Sequence, residues 1–421
     1  MGESMIAAYE LAEPQCIEDT GVRKNLLEDL ALKILYVEGE SSLLDLANRL
    51  CLNLGIVEVL FQRLRKEEFC EVKGMTAGVH RIDTTSKGKA RALELMMLNQ
   101  YAGPAPVSLN DYSNQVRAQG VNDVNVHAPE VELAFEHLVL EKEILTQLGA
   151  AVVSGQSIFL YGPTGTWKTA IAESLPRIYQ DSVWIPYAVE VAGQIITVFE
   201  SGVHELIEAQ PGPGGDGRWV LCRRPRVITG GELTIDMLDL QFNPVTKFYS
   251  APLQIKANNG VLIIDDFGRQ RLRPEELLNR WIVPLDRRID YFTLAGGTKF
   301  EVPFELLVVF STNLDPRSLA DEAFLRRIQT KVRINYVSPE QFHEIFRRLC
   351  DDFKLEYDSR VVDGLIETLS TELNQPLRAC YPRDIIQQIC WAARFEGKTP
   401  QLESKTVLRA CRSYFLCRLD A

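Results

Sequence analysis

Residues 162–169 read GPTGTWKT. They lie between an apolar run, SIFLY at 157–161, and KTAIAESLPRIY at 168–179, whose apolar residues recur at helical spacing. A phosphate-cradling loop asks for Gly, four free positions and then Gly-Lys-Ser/Thr, between a strand and a helix. Gly162, Lys168 and Thr169 satisfy that pattern, while Trp167 holds the place of the second glycine. The candidate loop is therefore Gly162, Pro163, Thr164, Gly165, Thr166, Trp167, Lys168 and Thr169. Its amides from Thr164 onward would face an anion at a helix start. Lys168 would bridge β- and γ-phosphates, and the Thr169 hydroxyl would hold Mg²⁺.

Three further stretches follow in order. GVLIIDDFGR at 260–269 carries four apolar residues into Asp265 and Asp266. An acid at the end of a buried strand beside such a loop can reach a metal shell, the expected role of Asp265, and a second can orient a water, that of Asp266. LLVVFSTNLDP at 306–316 ends another apolar run at Asn313, whose amide could position the same water. DEAFLRRI at 321–328 presents Arg326 and Arg327 on an expected short helix, and YPRDII at 381–386 presents Arg383 in the first turn of another. Arginine stabilises charge that builds on a transferring phosphoryl group.

This ordered set resembles the AAA+ ATPases over about residues 125–420. By that resemblance Gly162–Thr169 is a Walker A loop, Val261–Asp266 a Walker B strand and Asn313 sensor 1. Arg326 and Arg327 match the arginine-finger segment and Arg383 matches sensor 2. The stretch from Arg280 to Asn313 looks like a helix and a hairpin set before sensor 1, and the insert after GQIITVFE like an elaborated second helix, both similar to the MoxR-like branch. The resemblance implies ATP and Mg²⁺ as ligands, hydrolysis of ATP, and a ring homo-oligomer, usually a hexamer, that remodels a protein client in a chaperone-like way. Two residues depart from the pattern. Asp266 replaces a glutamate and withdraws the charge by one methylene, which points to slow turnover. Trp167 must either swing its ring outward or fill phosphate space. The alternatives are a nucleotide-gated scaffold without hydrolysis and an ATP-dependent DNA-binding regulator.

The fold class expected is α/β: a P-loop parallel sheet with helices on both faces, followed by a helical lid and preceded by a small winged-helix-like α+β domain. The expected divisions are a leader (1–21), the winged-helix-like module (22–100), a linker (101–128), the nucleotide-binding domain (129–337) and the lid (338–421). Continuous helices are expected over 129–148 and 193–206, and one strand over 182–191. In the front module twelve Lys/Arg oppose eleven Asp/Glu, a net of +1. Phosphate-driven binding wants a clear basic face, so protein docking is preferred there.

Composition sets the outer limits. The chain has 421 residues, 46% hydrophobic and 24% charged, as in ordinary globular proteins. A net charge of −11 argues against coating nucleic acid or an anionic membrane. Nine cysteines are scattered without a C-x-x-C pair, which argues against a disulfide framework or zinc site and for buried thiols in a reducing compartment. The start MGESMIAAYE lacks a basic n-region and an apolar core, and no apolar run could span a bilayer, so a cytoplasmic protein without membrane insertion is expected.

Overall fold

The computed structural model describes residues 11–76, 79–124, 126–208, 214–319 and 322–415. The first ten residues of the expected leader and Asp321 lie outside the described residues. The chain divides into two compact units, one of residues 1–124, 179–262 and 271–307, the other of residues 125–178, 263–270 and 308–421.

The parallel sheet has five strands in the order Arg226–Thr229, Val261–Ile264, Leu307–Thr312, Ile158–Tyr161, Thr330–Arg333. Ile158 stands opposite both Val309 and Thr330, and Tyr161 opposite both Thr312 and Arg333. Every residue of Val261–Ile264 and Leu307–Thr312 is buried. Unbroken apolar runs are what parallel strands covered on both faces require. Phe159 stacks on Phe310 at 5.8 Å and meets Phe267 edge-on at 6.0 Å, locking neighbouring strands in register. Because the strands point the same way, the residues that follow them collect at one edge, where α/β sheets bind ligands.

The helix expected over 129–148 is two helices, Ala128–Ala134 and Lys142–Ser154. Between them the chain turns so that Val139 packs on the C-terminal helical core. That tertiary contact overrides the helical periodicity. The C-terminal part is helical: Pro339–Phe353, Ser359–Glu367, Tyr381–Phe395 and Ser404–Tyr414. Ser338 and Gln341 close a capping box at its start, with Pro339 at the first helical position. Phe342, Phe346, Leu365, Ile385, Ile389 and Val407 fill its core.

In the first unit, helices Lys24–Glu38, Leu43–Leu50 and Leu54–Lys66 precede an antiparallel ribbon, Cys70–Thr76 with Val79–Thr84, and the helix Ser86–Leu98. Ser41–Ser42 adds a third strand to the ribbon. Arg63, in the last turn of Leu54–Lys66, is within ion-pair reach of Glu28 and Glu67, so part of that helix's charge is spent internally.

The stretch 193–206, expected as a helix, instead begins with the strand Gln194–Thr197. It forms a two-residue hairpin with Ala188–Val191 through Ala192 and Gly193, at φ 51° and 84°. Two positive-φ turn residues suit the strand twist, and Ile195, Ile196 and Thr197 are β-branched. The single strand expected over 182–191 breaks into Ser182–Pro186 and Ala188–Val191. Four short strands, Trp219–Arg223, Arg226–Thr229, Gln241–Phe242 and Tyr249–Ser250, fall within 219–250 with one 3-10 turn, Ile235–Leu238, so the expected elaborated helix is partly β-structured among the described residues. The helix Pro274–Arg287 leads into an antiparallel hairpin, Ile289–Thr293 with Lys299–Pro303.

Candidate functional site

The loop joins Ile158–Tyr161 to the helix Lys168–Ser174, all within the second unit. Gly162 has φ 145°, and a Cβ there would lie 2.1 Å from the Ile334 carbonyl oxygen, so only glycine fits. Gly165 has φ 79°, and a Cβ there would lie 2.7 Å from Cys380 Sγ and 3.2 Å from Arg378 Cδ. The Cys380 amide donates to the Gly165 carbonyl at 3.2 Å, tying the loop to the C-terminal helical part.

Trp167 takes the left-handed conformation, φ 64° and ψ 20°. That is the backbone a glycine would supply, at a strain of about 1–2 kcal/mol for an L-residue. The indole packs against the C-terminal helical core. It also lines a cavity of about 300 Å³ with Val139, Ile144, Ile334, Tyr336 and Ala379. Of the two dispositions left open by the sequence, the ring thus turns toward the helical part.

Lys168 is buried, 6% exposed, and its ammonium donates to the Pro163 carbonyl at 2.6 Å. Burial lowers its pKa, while Asp265 and Asp266 oppose that shift. Thr166 is held by its own hydroxyl, which donates to the same carbonyl at 2.9 Å. The exposed Thr169 hydroxyl donates to Asp265 Oδ2 at 2.8 Å. Asp266, exposed and at φ 49°, accepts from the Asn313 amide at 3.3 Å. The strand ends are fastened to each other: the Phe267 amide donates to Ser311 O at 2.7 Å, and the Thr312 hydroxyl to Phe267 O at 2.7 Å.

Lys168, Thr169, Asp265, Asp266 and Asn313 therefore share one edge of the sheet. Arg326 and Arg327 follow the helix Glu322–Leu325 rather than riding on it, because the helix ends one residue before them. Arg383 sits in the first turn of Tyr381–Phe395 and, like Arg326, is exposed. The hydrogen bonds of the described residues link neither of these two to the loop. Sequence reading missed Arg378, Cys380, Val139 and Tyr336, all brought to the loop or to its cavity by folding. The string RACYPR at the start of the helix Tyr381–Phe395 was the one available signal for Arg378 and Cys380.

The side chains fit Mg²⁺ and a triphosphate on the loop's own geometry. The glycine cradle is too tight for a Cβ, Trp167 keeps a glycine-like backbone, and Lys168 lies inside the loop. Among the described residues no three His, Cys, Asp or Glu side chains gather as a metal site. Mg²⁺ in such loops takes only one or two protein oxygens and completes its shell with phosphates and water; Thr169 and Asp265 are the residues that would supply them here.

A family described as a domain of unknown function, DUF8689, matches residues 338–413, the C-terminal helical part. No curated protein matches the chain. Among solved structures, NtrX from Brucella abortus in complex with ADP aligns at 14% identity and a TM-score of 0.40, over 65% of this chain and 55% of that one. NtrX in complex with ATP aligns at 14% identity and a TM-score of 0.38, over 65% and 58%. This chain thus spans just over half of the NtrX chains. The Thermotoga maritima RuvB Holliday junction branch migration motor aligns at 16% identity and a TM-score of 0.35, over 68% and 70%. No helix among the described residues is long and apolar enough to cross a membrane.

Proposed function

We propose that this chain binds ATP with Mg²⁺ at Gly162–Thr169 and hydrolyses it. The observation that carries the reading is the 2.8 Å bond from the Thr169 hydroxyl to Asp265, beside the buried Lys168. Two distant stretches meet there in the arrangement a Mg²⁺–triphosphate needs. Lys168 supplies charge to the phosphates, and Thr169 and Asp265 supply oxygens to the metal. When bound, Mg²⁺ neutralises charge on the β- and γ-oxygens. Asp266, held by Asn313, orients water, and Arg326, Arg327 and Arg383 stabilise charge from this chain or a neighbouring copy. In this reading residues 22–100 are a winged-helix-like docking module, 129–337 the nucleotide-binding domain and 338–421 its lid. The chain assembles as a homo-oligomeric ring, a hexamer, and remodels a protein client in the cytoplasm.

The test is phosphate release from Mg·ATP by this protein beside Lys168→Ala, together with calorimetric binding. Release in the native chain and none in Lys168→Ala supports the reading; equal background in both, with no heat of binding, refutes it. A nucleotide-gated scaffold is the second reading, favoured by the short Asp266 side chain held at φ 49°. Tight binding without release would select it.

A further inference from the structure

Trp167 is more than a tolerated substitution in the loop. Its glycine-like backbone leaves the loop's shape intact, and its ring is placed where no glycine could act. The indole forms part of the wall of the 300 Å³ cavity that adjoins the loop through Thr166. Val139, Ile144 and Ile334 give that cavity apolar surface, and Tyr336 adds a second aromatic ring. Glu141, Glu143, Lys331, Arg333, Asn335 and Gln341 stand at the same cavity, so its lining is more polar than apolar. A volume of this size is at the lower end of small-ligand sites. A nucleotide anchored by its phosphates on the loop carries its planar base a short distance away, and the cavity adjoins the loop on that scale.

We propose that Trp167 is a base-stacking platform that sets the preference of this site for a nucleotide over a bare polyphosphate. The inference rests on the phosphate-loop reading above and assigns the neighbouring cavity to the base. An indole stacked on a base binds by its π-face and by water exclusion, which a glycine cannot supply. Held against the C-terminal helical core, the ring loses little freedom when a base arrives, so most of the stacking free energy is retained.

The experiment measures calorimetric affinities for Mg·ATP, Mg·ADP and magnesium tripolyphosphate, using the full chain, Trp167→Phe, Trp167→Ala and Lys168→Ala. Circular dichroism confirms that each variant is folded. Trp167→Ala is expected to weaken both nucleotides about ten-fold, equivalent to about 1.4 kcal/mol, and to leave tripolyphosphate unchanged. Trp167→Phe keeps a ring and is expected to stay within about three-fold of the native affinity. Nucleotide is also expected to quench an emission component that Trp167→Phe lacks. Equal weakening of nucleotide and tripolyphosphate in Trp167→Ala would overturn the proposal in favour of a loop-shaping role. Tighter binding of all three ligands would overturn it by showing that the ring obstructs the phosphates. The phosphate-loop reading fails separately, and takes the stacking role with it, if tripolyphosphate binds the native chain no better than Lys168→Ala.

Discussion

Replacing Trp167 by glycine restores the usual loop sequence, and the structure predicts that it lowers stability. Three contributions decide the sign. Relief of the left-handed backbone, φ 64° in the native chain, gains about 1 kcal/mol. Greater freedom of glycine in the unfolded chain costs about 0.5–1 kcal/mol. Loss of the indole from the C-terminal helical core removes a large apolar contact. Burying a large apolar side chain contributes about 1.5–3 kcal/mol, and the partly buried indole about 2 kcal/mol of that range. The sum is a loss of about 2 kcal/mol. Urea unfolding followed by far-UV circular dichroism, with Trp167→Phe as a control that keeps most of the contact, measures it. A midpoint for Trp167→Gly equal to or above the native one would refute the packing argument and make the ring a strained intruder.

Other predictions follow from single contacts. Thr169→Ala removes an exposed hydroxyl bonded to Asp265, so Mg²⁺-dependent ATP affinity should fall at least about ten-fold with stability unchanged, as read by calorimetry with and without Mg²⁺. Gly162→Ala forces a Cβ onto the Ile334 carbonyl at φ 145°, and should lower stability by about 3 kcal/mol in the same urea assay. Burial lowers the pKa of Lys33 to about 8, against 10.5 for the free side chain, with Asp29 opposing the shift. The unfolded chain then binds more protons between about pH 8 and 10.5. The Lys33 contribution is unfavourable below pH 8 and is relieved as pH rises through that window. The difference of 2.5 pKa units corresponds to about 3 kcal/mol, offset by about 1 kcal/mol for the Lys33 bond to Asn99 O. Lys33→Met should therefore be more stable than the native chain by about 2 kcal/mol at pH 7, with an advantage that vanishes by pH 10. Subtracting the two unfolding curves removes the opposing effect of the buried thiols such as Cys70, which burial pushes up to about 12.

The sequence by itself determined the strand-and-loop frame of the second unit. Runs such as VLII and LVVF leave no polar face, so they belong in a covered parallel sheet, and the residues after them include Asp265, Asp266 and Asn313. Gly162, Lys168 and Thr169 stood out in the sequence because a phosphate-cradling loop would fix both residue type and spacing. Helical periodicity located the four C-terminal helices for the same local reason. It misled at 129–148, where Val139 leaves the helix to join a distant core, and at 193–206, where a two-residue hairpin defeats the pattern. Only the tertiary structure decided where the Trp167 ring goes. Left-handed backbone is open to a tryptophan at modest strain, and the sequence leaves both directions of the ring available. The choice is made by an apolar core built from residues far along the chain, against which the indole is partly removed from water. Arg378, Cys380 and Tyr336 reach the site by the same route, since proximity between remote segments is a property of packing and leaves no periodic trace in the chain.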